Sequence, residues 1–166
     1  MVNRKMAVWI VCVVAVAVAA WLLLLPGDEK KVKRQFTRLC SEVGKEPNEG
    51  MIETALRVRR AEALFAPTCL VAIGEQWIDG ATDAASLVAQ GFQARMQFAS
   101  MTLSFSDFKI TFPKADQASC EVVAKLVGTT TSGGKIDEAR EMVWELSRLE
   151  GSWRFSAVRQ VQVVRR

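Results

Sequence analysis

From Leu103 to Val163 apolar and polar residues take turns, stretch after stretch, and a rhythm of two commits this part of the chain to β-strands with one dry face. Leu103 and Phe105 share one parity, whereas Phe108, Ile110 and Phe112 share the other. The switch falls at Ser106-Asp107, which is the effect of one inserted bulge residue on a two-residue period. Cys120, Val122, Ala124 and Leu126 alternate with Glu121 and Lys125, and the polar segment 129–135, with Gly133-Gly134, predicts a hairpin connection. A strand around Met142, Trp144 and Leu146 follows, then a tight turn at Glu150-Gly151. The last strand places Trp153, Phe155, Ala157, Val161 and Val163 on one face, and the same parity puts Arg159 among them.

Upstream the period lengthens. Val32, Phe36, Leu39, Cys40 and Val43 recur at helical spacing over 28–45, and Gly44 and Pro47 end that helix. A second helix is expected over 49–65, burying Ile52, Ala55, Leu56, Ala63 and Leu64 and stopping before Pro67. Residues 69–73 form a short apolar strand bounded by Gly74. After a loop through Asp79-Gly80, Thr82 or Asp83 caps a third helix over 83–99 with the stripe Leu87, Val88, Gly91, Phe92 and Met96. About three helices beside meandering antiparallel strands make an α+β layout, the helices packed on one face of a bent, mostly antiparallel sheet.

In its order of elements the chain resembles the nuclear transport factor 2-like (cystatin-like) superfamily. The resemblance rests on two helices, then Ala63-Leu64-Phe65-Ala66-Pro67 leading into a short strand, a Gly-bearing loop, a third helix, and four long strands ending in Gly151-Ser152-Trp153-Arg154-Phe155. It covers residues 30–164 and implies a cone, in which a strongly bent sheet wraps the helices around an apolar cavity open at one end. Fold alone licenses no activity.

Residues 6–25 are uncharged and almost wholly apolar, long enough to cross a hydrocarbon core of about 30 Å as one helix. The expected organisation is a short basic tail (1–5), a transmembrane helix (6–25), a linker (26–29) and one domain (30–166). The run exceeds a signal-peptide core of roughly 7–15 residues, so an uncleaved single-pass anchor is expected. With Arg4 and Lys5 held inside, the domain is expected on the periplasmic side of a bacterial cytoplasmic membrane.

Of 22 basic and 18 acidic residues only Arg4 and Lys5 lie in the first 27, so the domain's net charge is about +2. No stretch interleaves aromatics with a basic cluster, and a nucleic-acid partner is not expected. There is no histidine and no CxxC pair, which argues against a zinc or haem site, and no cofactor is expected. Cys69 and Cys120 are expected as buried free thiols, although a disulfide between them is not excluded by sequence.

Relatives that isomerise or dehydrate small molecules use a carboxylate near the end of the first strand, commonly helped by Tyr or His. Here the matching stretch is Val71-Ala72-Ile73-Gly74, Ile73 stands nearest that position, and the chain has neither Tyr nor His. Catalytic residues are therefore expected to be absent, and the expected role is a non-catalytic, membrane-anchored accessory or partner-binding module of the cell envelope. Its partner, or a second copy, would use the outer sheet face. The alternative is a carrier for a small apolar acidic ligand such as a lipid or fatty acid. Phe92, Met96, Trp144 and Phe155 would line its cavity, with Arg159, Arg59 and Arg95 as cations for the acidic head.

Overall fold

The computed structural model describes residues 27–73 and 79–161. The tail 1–5 and the apolar run 6–25 lie outside them, and no helix among the described residues is long and apolar enough to cross a membrane. The described elements are α1 (Asp28–Val43), α2 (Met51–Glu62), β1 (Phe65–Ala72), β2 (Asp79–Asp83), α3 (Ala84–Arg95), β3 (Phe98–Lys114), β4 (Gln117–Thr130), β5 (Lys135–Leu149) and β6 (Ser152–Gln160).

The six strands form one sheet in the order β2-β1-β6-β5-β4-β3. Every pairing is antiparallel except β1 with β6. The helices cover one face of it. The stripe expected on α1 holds, with Val32, Phe36 and Leu39 buried and Cys40 and Val43 half-buried. Phe36 meets Phe105, Phe108, Trp144 and Phe155 edge-on, with ring centroids 5.0–5.9 Å apart. Such edge-to-face pairs add about 0.5–1.5 kcal/mol each beyond burial. Beyond α1, Lys45 exchanges backbone hydrogen bonds with Met101 at 2.8 and 3.0 Å, and its Nζ donates to the Phe98 carbonyl at 2.6 Å. The helix exit is thus fastened to β3.

The bulge expected at Ser106-Asp107 is present. The β3–β4 register shifts between Ser106 and Lys109, Asp107 takes φ 53°, and Phe105 and Phe108 both pack on the core. The Glu150-Gly151 turn is also as expected, with both residues at positive φ (49° and 78°), the conformation that twists a two-residue hairpin correctly.

Four expectations change. First, α2 turns three of its expected core residues outward: Ile52 is 81% and Leu56 47% exposed, and Ala55 is exposed, as is Ala63 after the helix, while Ala61 and Leu64 are buried and Val58 packs on the core. The helix is held to α1 by polar contacts instead, Arg57 donating to the Ser41 carbonyl and Arg60 pairing with Glu42 at 3.0 Å. Second, the first strand begins earlier than expected, at Phe65, and contains Pro67. The β1–β6 register breaks between Phe65 and Leu70, and β1 pairs with β2 only from Thr68. Pro67 therefore falls where no ladder bond needs its missing N–H. Third, residues 79–83, read as a loop and cap, form the short strand β2, with Asp83 also capping α3 by accepting from the Ser86 N–H at 2.8 Å.

Fourth, β6 carries a bulge of its own. Leu146 faces Phe155 but Glu145 faces Ala157, leaving Ser156 without an opposite residue. Beyond it the parity inverts, so that Val158 is buried and Arg159 is exposed. One inserted residue moves every following side chain to the other face.

Candidate ligand cavity

Between α1, α3 and the sheet lies a cavity of about 190 Å³ whose wall includes Leu39, Val43, Phe92, Arg95, Trp144 and Val158. It is an apolar chamber with a guanidinium in its wall. Ile73, at the end of β1, is part of the same wall.

Arg95 owes its place to the phase of α3. The buried residues of that helix are Ala84, Val88, Phe92 and Arg95, so the final core position of the stripe holds the arginine, and Met96 is 72% exposed. The guanidinium is 4% exposed, lies over the Phe92 ring at 5.1 Å, and reaches the carboxyl end of α1. Its Nε donates to the Val43 carbonyl at 2.9 Å and Nη2 to the Gly44 carbonyl at 2.7 Å. These carbonyls end a helix, where the backbone leaves acceptors unpaired and the dipole favours a cation. Nη2 also meets Glu49 Oε2 at 2.5 Å, an ion pair with both side chains 4% exposed.

Glu49 is held further by Thr54 Oγ1 at 3.1 Å and Arg57 Nε at 3.5 Å. Burial works to raise its pKa, but the hydrogen bonds from Arg95 and Thr54 and the charges of Arg95 and Arg57 prevail, and the carboxyl titrates below its ordinary range. The pair is therefore a carboxylate and a guanidinium, electrically closed on each other. Two donors of wall residues remain unused: Arg95 Nη1 and the buried Trp144 indole N–H make no hydrogen bond among the described residues.

Of the expected ligand residues, the structure brings Phe92, Trp144 and Arg95 together at the cavity. Phe155 is fully buried beneath it, in ring contact with Trp144 at 5.0 Å, and is core without being lining. Met96 and Arg59 point to solvent. Arg159 stands on the outer sheet face opposite Val143, because of the Ser156 bulge, and is not at the cavity. Glu49 was missed by sequence reading, because an acidic residue at a helix start is ordinary and carries no signal of a buried partner. Cys69 and Cys120 are free and buried, as expected.

No family model matches the chain, and no curated protein does either. Solved structures do match. A hexachlorocyclohexane dehydrochlorinase, LinA-type3 from Novosphingobium barchaimii, superposes with a TM-score of 0.61 at 13% identity, over 81% of this chain and 85% of that one. A putative scytalone dehydratase from Novosphingobium aromaticivorans gives 0.61 at 15%, over 81% and 85%. A protein of unknown function with a cystatin-like fold from Nostoc punctiforme gives 0.60 at 14%, over 80% and 89%. The fold these matches share with the chain is cystatin-like.

These matches correct the expectation that the chain is no enzyme. Structures of this fold include a dehydrochlorinase and a putative dehydratase by name, so the lack of His and Tyr does not exclude catalysis. The non-catalytic accessory role loses its main support with it.

Proposed function

We propose that the domain binds a neutral, ring-sized apolar molecule in the cone cavity, through one hydrogen-bond acceptor on that molecule. The observation that carries this reading is the pair of unused donors on two wall residues, Arg95 Nη1 and the Trp144 indole N–H, in an otherwise apolar lining. Small-molecule sites have this composition, apolar walls with a few polar groups that fix orientation. Size supports a ring over a lipid: an apolar cavity of about 150 Å³ takes up benzene. A chain of sixteen carbons, at roughly the ~30 Å³ a water occupies in the liquid, needs more than twice the space here.

Charge supports a neutral acceptor over an acid. Arg95 is already matched by Glu49 at 2.5 Å, so a ligand carboxylate would leave the buried group with one uncompensated negative charge. The test is ¹⁹F NMR of the full chain with 4-fluoroacetophenone, fluorobenzene and 4-fluorobenzoate. Tightest binding is expected for the ketone, and loss of binding on filling the cavity with Val88→Phe. Tightest binding of the benzoate, or unchanged binding in the filled variant, refutes the reading.

The names of the matched structures favour a second reading, an elimination carried out in the same chamber. Arg95 Nη1 and the Trp144 N–H would stabilise negative charge developing on the substrate, the part of such a reaction that preorganised donors serve best. A base would have to come from outside the described wall. Turnover of a bound ring compound, lost in Arg95→Met, supports it; binding without turnover across halogenated, hydroxylated and carbonyl-bearing rings counts against it.

A further inference from the structure

A second recess, of about 340 Å³, shares no residue with the cavity. It lies where α1, the end of α2 and the start of β6 meet, walled by Gln35, Arg38, Glu42, Arg60, Trp153 and Arg154 among others. Gln35, Arg38 and Glu42 recur at helical spacing, so α1 presents them as one row. Two of these wall residues hold buried polar atoms with no partner among the described residues, Gln35 Oε1 and the indole N–H of Trp153. Trp153 itself is only 2% exposed. Buried polar groups are nearly always paired, and two orphans of opposite hydrogen-bonding sense on one small recess ask for a molecule that satisfies both.

The cations around them are unevenly engaged. Arg60 is held by Glu42 at 3.0 Å and Glu53 at 3.1 Å. Arg38 makes no ion pair among the described residues, and Arg154 has only the 89% exposed Glu150 at 3.7 Å. Arg38 and Arg154 thus line the same recess as the Trp153 indole and the Gln35 amide, a donor-rich set of residues suited to an acidic group. The amide oxygen in turn needs a donor, which a bare anion lacks and a hydroxyl supplies.

We propose that this recess binds a small hydroxylated organic anion, its carboxylate or phosphate taken by Arg38, Arg154 and the Trp153 N–H, and a hydroxyl donating to Gln35. The experiment titrates the full chain at low salt with gluconate, glycerol 3-phosphate, acetate and inorganic phosphate. It follows heat and the Trp153 indole resonance, assigned with Trp153→Phe. A hydroxylated anion is expected to bind and shift that resonance, with gluconate against glycerol 3-phosphate telling carboxylate from phosphate. Arg38→Ala/Arg154→Ala is expected to weaken it by about tenfold or more, the equivalent of one charge-assisted hydrogen bond. Gln35→Leu is expected to erase the preference over acetate and inorganic phosphate. Because the two arginines stand on the surface of their elements, the double variant should melt as the parent does. The proposal is overturned if none of the four probes moves the resonance at about 10 mM, ten times a Kd worth only ~4 kcal/mol. An unchanged affinity in the folded double variant overturns it equally.

Discussion

Replacing Glu49 by Gln tests whether the cavity wall depends on a buried ion pair. The substitution keeps the shape and removes the charge, leaving the Arg95 guanidinium with the Val43 and Gly44 carbonyls and the Phe92 face. Breaking a buried pair from one side costs about 3–5 kcal/mol. The two carbonyl bonds and the surviving amide oxygen recover part of that, so about 2–3 kcal/mol is expected. With a urea m-value of about 2 kcal/mol/M the unfolding midpoint should fall by roughly 1–1.5 M. A double-mutant cycle with Arg95→Met should return a coupling of about 2 kcal/mol, within the range for contacting residues. The pH dependence has a definite sign. Glu49 titrates below its ordinary 4.5 in the folded protein, so the stability it contributes is complete above that value and is lost as pH falls through the folded pKa. The gap between parent and Glu49→Gln should therefore narrow below pH 4.5. A cost under about 0.5 kcal/mol, the scale of an exposed pair, would refute the account of a sealed ion pair at the wall.

Three further outcomes concern the rest of the fold. At Gly128 a Cβ would lie 2.7 Å from the Ser100 carbonyl oxygen and 3.0 Å from the Phe98 ring, so Gly128→Ala should cost about 1–3 kcal/mol, read as a melting temperature lower by several degrees. Gly91→Ala, inside α3 with nothing within 4 Å of its Cβ, should instead be neutral or gain up to about 1 kcal/mol. Burial pushes the Cys69 thiol up to about 11 and that of Cys120 to about 12, so both should resist thiol reagents at pH 8 in the native protein and react in denaturant, as peptide mass mapping would show.

The two bulges show what a sequence can disclose. At Ser106-Asp107 the shift is legible because Phe105 and Phe108 are separated by polar residues, and only an extra residue lets both face the core. At Ser156 the neighbours Ala157 and Val158 are both apolar, so the pattern fits either parity and the sequence rhythm cannot reveal which one is buried. That ambiguity carried Arg159 to the wrong face. Periodicity also favours Met96 over Arg95 at the end of α3, since hydropathy takes no account of a buried cation that has a carboxylate and two helix-end carbonyls waiting for it. In α2 the apolar residues Ile52 and Leu56 suggest a buried stripe, whereas the helix is fixed to α1 through arginines. The existence of the three helices and of the four long strands, by contrast, follows from strong periods and turn residues and was readable, whereas the parallel pairing of β1 with β6 and the short strand β2 were not.

The parallel pairing of β1 with β6 has a consequence for how the protein is made. The first long strand to leave the ribosome finds its inner neighbour only when the last one has emerged, and until then it has only the five-residue β2 beside it. Phe36 likewise waits for aromatic partners at positions 105, 108, 144 and 155. A two-stranded ribbon is marginal alone, and closing such distant contacts is slow. The nascent chain should thus stay open, its apolar faces in need of a holding chaperone, until synthesis is almost finished, and a message truncated before residue 152 should yield no folded product at all.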